Sequence, residues 1–116
     1  MKKLISGFAF VVALSLSNAS AAISIKDARE NYEAGGDRKE MLLFYLASQE
    51  NGLSWANVEL EMAQREPLYC PPDKLNLNGE NVYSLTNDYV TKNSANPEAP
   101  FDMYVMRALY DAFPCA

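Results

Sequence analysis

Residues 66–75 read EPLYCPPDKL, a cysteine set among three prolines in a chain that otherwise favours helix. Glu66-Pro67 ends any helix that precedes it, because the residue before a proline is pushed off helical angles. The segment through Cys70-Pro71-Pro72 is then expected to run extended. The stretches on either side must supply the fold.

Upstream, Leu42, Tyr45, Leu46, Gly52, Leu53, Ala56, Leu60 and Ala63 hold one helical phase, which predicts a single helix over residues 37–65. Asp37, with Glu40 three residues on, has the reciprocal pattern of a capping box. Asn51-Gly52 is a strong turn signal, so a hairpin there is the rival reading. Continuity is expected, since a turn has no reason to preserve the apolar phase, and a glycine on the buried face lets a neighbouring helix approach closely. Phe44, Trp55 and Met62, with Val58 nearby, make a second stripe. A helix apolar on two faces belongs in the middle of a bundle. Trp55 is therefore expected in the core, although tryptophan is also enriched at binding hot spots. Asn57 falls outside both stripes, facing solvent or bonding to the Cys70 segment. Before this helix, IKDARENYEA (residues 25–34) forms a short one that stops at Gly35-Gly36, where a left-handed cap costs glycine nothing.

Downstream, Asn78 is the expected cap of a helix over residues 79–92 that turns Val82, Leu85, Tyr89 and Tyr83 inward. NSANPEAP (93–100) is a polar linker. Pro100 suits the first turn of a last helix, residues 100–113, with Phe101, Val105, Leu109 and Phe113 on one side. Pro114 stops it and Cys115 follows. The fold class is thus all-α, a small bundle of about four helices.

The chain opens with Lys2-Lys3, an apolar run from Leu4 to Leu16 and small residues at Ala19 and Ala21, the pattern of a cleaved secretory leader over residues 1–21. At about 13 residues the run is shorter than the roughly 20 that span a bilayer. The expected mature product is one domain, residues 22–116, exported to the periplasm. Loss of Lys2 and Lys3 makes the net charge of −5 two units more negative, which disfavours nucleic acid and anionic membrane surfaces as partners. There is no histidine and there are only two cysteines, which removes Ser-His-Asp and Cys-His catalysis and the common zinc sites. No cofactor, metal or catalytic residue is expected; Glu59 and Glu66, seven apart on the expected helix, read as solvated acids.

In an exported chain two cysteines are most simply a disulfide. Cys70–Cys115 would close a loop of about 46 residues and stabilise by roughly 4 kcal/mol in the chain-entropy model. An intermolecular bridge or a free thiol is the alternative.

GLSWANVELEMAQREPLYCPPDKLNL (52–77), followed by VMRALYDAFPC (105–115), resembles the Rap/Tai family of small periplasmic proteins. That family includes immunity proteins against type VI secreted peptidoglycan amidases. The likeness covers residues 43–115. It implies a disulfide-braced all-α domain, often a homodimer, that binds a cell-wall hydrolase toxin and blocks its active-site cleft. Cys70 and Cys115 match the family's structural cysteines. Gly52, Trp55 and Asn57 match its central-helix motif, and Pro71 and Pro114 belong to the Tyr-Cys-Pro-Pro and Phe-Pro-Cys motifs. Many members carry a further cysteine pair near the first helices, and this chain lacks it.

The connecting segments 71–78 and 93–100 are the natural candidates to enter a cleft, since binding is commonly carried by loops on a rigid scaffold. Tyr69, Asp73, Asn93 and Glu98 are the candidate partner contacts; for Tyr69, packing over the bridge is the rival reading. Asp73, Glu80, Asp88, Glu98 and Asp102 are expected to give the C-terminal half an acidic surface able to steer a basic partner. The alternative function is a small envelope interaction or stress-chaperone protein that exposes apolar surface when its carboxylates are protonated, below about pH 5.

Overall fold

The computed structural model describes residues 22–116, and the expected leader lies outside them. Helix α1 spans Ile25–Ala34, as the sequence predicts. Ser24 caps it by accepting the Asp27 N–H at 3.0 Å. Its next free donors, the Ile25 and Lys26 N–H groups, reach the carbonyls of Ala99 and Pro97, each at 2.9 Å. Phe101 N–H returns a bond to Ile23 O at 2.7 Å. The linker 93–100 is therefore tied to the start of α1 by backbone hydrogen bonds.

Gly35 and Gly36, both at positive φ (66° and 55°), turn the corner into α2, Gly36–Met62. The expected capping box at Asp37 does not form. Because the glycines turn the chain so tightly, the helix starts one residue earlier. Asp37 then lies inside the first turn, where its charge meets the positive helix end.

Helix α2 runs unbroken through Asn51-Gly52 but stops short of residue 65. Gln64 takes φ 57°, its N–H donates to Glu61 O at 2.9 Å, and Arg65 N–H donates to Leu60 O at 2.8 Å. These are the paired bonds of a Schellman cap, here without glycine. Helix α3, Gly79–Lys92, ends the same way: Ser94 has φ 49°, and Ser94 and Ala95 donate to Thr91 O and Val90 O. At its start Asn78 and Asn81 cap each other reciprocally, at 2.9 and 3.3 Å. Helix α4 is Phe101–Ala112, with Pro100 as its N-cap instead of its first helical residue.

Helix α3 packs against both α2 and α4, and α1 lies on α2. Between them sit Ile25, Leu42, Leu46, Val82, Val90, Phe101, Val105 and Leu109, all buried. Tyr83 is buried too, its ring stacked on Tyr32 at 3.9 Å and beside Phe101 at 5.7 Å. Thr86 is buried with its hydroxyl bonded to Val82 O at 2.7 Å. Arg29 reaches across from α1 to Asn87 (2.8 Å) and Thr91 (3.0 Å) of α3.

The expectation that α2 is buried on two faces is overturned. Leu42 and Leu46 face the core, but Phe44 is 77 % exposed, Trp55 64 % and Met62 75 %. Helical phase groups residues on a face; it does not supply a neighbour to cover them. Gly52 is likewise exposed, and a Cβ there would touch nothing within 4 Å. The close approach occurs at Gly79, where a Cβ would fall 2.2 Å from the Leu43 carbonyl oxygen.

Candidate protein-binding surface

After its cap, the chain doubles back along α2. Leu68 N–H donates to Asn57 Oδ1 at 2.7 Å, and Asn57 Nδ2 donates to Tyr69 O at 3.0 Å. Asn57 thus satisfies one buried donor and one buried acceptor of a segment that has no regular structure. Tyr69 is 1 % exposed, with its hydroxyl donating to Glu50 at 3.0 Å. Burial first, and then this bond, hold its hydroxyl pKa well above the ordinary tyrosine value. Tyr69 is therefore a core residue and not a partner contact: folding the segment onto α2 carries its ring inward.

Cys70 N–H donates to Phe113 O at 2.8 Å, and the Cys70–Cys115 disulfide joins the same two segments, with Cα atoms 5.0 Å apart. The base of the following loop is consequently fixed to both α2 and the end of α4. At the tip, Leu75 N–H closes a turn on Pro72 O at 3.1 Å, and Lys74 takes φ 74°. Gln64 and Ser94 share that left-handed region as helix caps; Lys74 alone among the described non-glycine residues adopts it within a loop. Such a conformation costs a non-glycine residue about 1 kcal/mol or more.

Pro71, Pro72, Asp73, Lys74 and Asn76 are exposed, and Leu75 is 44 % exposed. The loop forms a ridge between two hollows. One, about 280 Å³, is bounded by Ser54, Asn57, Val58 and Glu61 of α2 and by residues 69–73. The other, about 360 Å³, is largely apolar, with Leu75, Leu77, Leu85 and Phe113 in its wall. Asp73 stands on the polar side. Such a surface can fill a concave site with an apolar tip and carry one acid to its edge; it has no nucleophile and base in contact.

The other candidates do not join it. Asn93 and Glu98 are exposed, but they follow α3 while the ridge precedes it, so about 20 Å of helix separates them. Asn93 bonds Tyr89 O at 2.8 Å, and the carbonyls beside Glu98 cap α1. That linker serves as a structural tie.

The acidic surface is also smaller than the sequence suggests. Glu80 accepts from Lys39 at 3.0 Å and from the Tyr32 hydroxyl at 2.8 Å, and both bonds lower its pKa, the Lys39 bond more. Asp102 is half-buried and accepts the Tyr45 hydroxyl, which together with burial pushes Tyr45 up to about 12. Glu66 lies past the end of α2, so it shares no helix face with Glu59. Of the residues on which the family resemblance rests, Asn57, Cys70 and Cys115 serve as structural residues, whereas Gly52, Trp55, Pro71 and Pro114 are exposed.

The ridge residues Lys74 and Leu75 carry no sequence signal, because DKLNLN reads equally as a connector. Among the described residues no three His, Cys, Asp or Glu side chains converge as metal ligands would. No described helix is long and apolar enough to cross a membrane. Comparison with protein-family models, curated proteins and solved structures returns no match.

Proposed function

We propose that this chain is an exported, periplasmic binding protein of the Rap/Tai immunity type, which occludes the active-site cleft of a peptidoglycan amidase or similar hydrolase delivered by type VI secretion. Inhibition is stoichiometric and steric, with the 71–78 ridge as the inserted element. The observation that carries this reading is the exposed tip held in a strained conformation on a base fixed by the disulfide and by Asn57. A loop ordered before binding loses little further conformational entropy in the complex, which is the usual route to a tight stoichiometric inhibitor. The resemblance of the cysteine motifs supports the partner class.

The test is capture of the hydrolase encoded beside this gene by the oxidised exported protein, followed by an activity assay on peptidoglycan. Wild type should bind and inhibit. Leu75→Asp, on an exposed tip, should weaken binding at least tenfold while leaving thermal unfolding unchanged. Failure to bind or protect against any hydrolase encoded nearby would sink the proposal.

A further inference from the structure

The residues just before α1 run beside the start of α4. Ser24 and Pro100 face each other as an antiparallel bridge, held by Ile25 N–H on Ala99 O (2.9 Å) and Phe101 N–H on Ile23 O (2.7 Å). Ala22 and Asp102 are each the next residue beyond that last bond, and the antiparallel register sets them opposite one another. Ile23 also shares a hollow of about 410 Å³ with Tyr45 of α2, and the Tyr45 hydroxyl donates to Asp102 Oδ2.

The other carboxylate oxygen, Asp102 Oδ1, is buried and has no hydrogen-bond partner among the described residues. Gln49 Oε1 shares that condition, and the Gln49 amide lies next to Asp102, with Nε2 donating to Asp102 O at 3.1 Å. Two buried acceptors without a donor are costly, the more so when one belongs to a carboxylate, and they call for a cation that brings several N–H groups. The neighbouring side-chain cations of α2 are engaged elsewhere. Arg38, in the wall of the same hollow, bonds Asn31 at 2.9 and 2.7 Å, and Lys39 pairs with Glu80 at 3.0 Å.

We propose that Asp102 is the docking site for the chain's own new N-terminus: removal of the leader after Ala21 frees the Ala22 α-ammonium, which pairs with Asp102 Oδ1 beside Gln49. This rests on the exported reading above and is independent of what the ridge binds. While the leader is attached, the Ala22 nitrogen is a neutral amide with one N–H. Hydrolysis of the Ala21–Ala22 bond by a leader-cleaving peptidase consumes one water. The water oxygen joins the Ala21 carbonyl carbon and both its protons go to the Ala22 nitrogen, leaving a carboxylate and an ammonium. One neutral donor thereby becomes three charged ones, and charge-assisted bonds are the stronger kind. Ala22 is exposed and outside the core, so its nitrogen can turn to Asp102 without disturbing the packing. The pair joins the start of α1 to α4 and, through Tyr45, to α2, a tie that the precursor lacks.

The experiment labels the oxidised exported protein with limiting acetic anhydride at neutral pH and reads each amine by peptide mass spectrometry, which also identifies the first residue. A paired ammonium gives up its proton less readily, so the Ala22 amine should react about tenfold more slowly in the folded chain than in urea, the effect of one pKa unit. Asp102→Asn should abolish most of that protection with the helical circular dichroism unchanged. Equal rates in folded and unfolded wild type, or equal protection in Asp102→Asn, would mean that water alone serves Asp102 and would overturn the docking. A mature chain that begins at another residue overturns it as well, and leaves the binding role of the ridge untouched. In urea, Asp102→Asn should lower the midpoint of the mature chain more than that of the precursor, since only the mature chain has the pair to lose; equal losses count against it.

Discussion

Asn57 shows how much one side chain can decide. The segment after α2 has no ladder of its own, and its Leu68 N–H and Tyr69 C=O would be left unpaired against α2 without the Asn57 amide. Asn57→Ala should therefore cost about 2–3 kcal/mol, the penalty of two backbone groups stripped of partners, and should loosen the ridge as well. Urea denaturation gives the first quantity, and amide exchange at Leu68 reports the second. Trp55, two residues earlier, has the opposite character: it is large, exposed and unneeded by the core. Helical phase separates the two residues onto different faces but says nothing about which face the return segment takes, so only the folded chain distinguishes them.

At the scale of elements, α2 and α3 meet backbone to backbone. Gly79 sits against Leu43 so tightly that any Cβ overlaps the helix main chain, which cannot yield as a flexible side chain could. Gly79→Ala should destabilise by about 3 kcal/mol, at the upper end for overpacking, and should displace the first turn of α3. The thermal midpoint measures the first effect, and loss of the Tyr32–Tyr83 stacking signal in near-ultraviolet circular dichroism the second. The sequence points to Gly52 for this role, because Gly52 is in phase with α2's apolar residues. Gly79 has no such signal, since it stands at a helix start where glycine is commonplace. Helix ends behave alike: α1 stops at a glycine and is legible, while α2 and α3 stop at Gln64 and Ser94, whose left-handed angles no residue preference announces.

Across the whole molecule, the Cys70–Cys115 bridge closes a loop with a sequence separation of 45 that holds α3 and α4. Reduction should lower the unfolding free energy by about 4 kcal/mol in the chain-entropy model, a large share of the roughly 5–15 kcal/mol typical of a domain. Urea midpoints with and without reductant give the difference. Alkaline pH acts through three tyrosines that tie elements together. Tyr45 is raised to about 12 by its Asp102 bond and by burial; Tyr69 is raised chiefly by burial, and Tyr83 likewise. A folded pKa above the unfolded value of about 10 gives stability that is complete below pH 10 and is lost as pH rises through the folded value. Stability should therefore decline from about pH 10 upward, with three tyrosines lagging in a spectrophotometric titration. Tyr45→Phe should flatten part of that decline and cost about 1–2 kcal/mol at neutral pH.

What the sequence determined by itself is local: the bounds of α1, the unbroken run of α2 through Asn51-Gly52, the Asn78 cap, and a bridge between the only two cysteines. Each follows from neighbours within a turn or two, or from there being a single pairing to make. The tertiary structure alone decided that Tyr69 is buried and Trp55 is not, and that Gly79 is where α3 meets the main chain of α2. Those facts depend on which surface is covered by chain far away in sequence. Burial is a property of the pair of surfaces that meet, and periodicity describes only one of them.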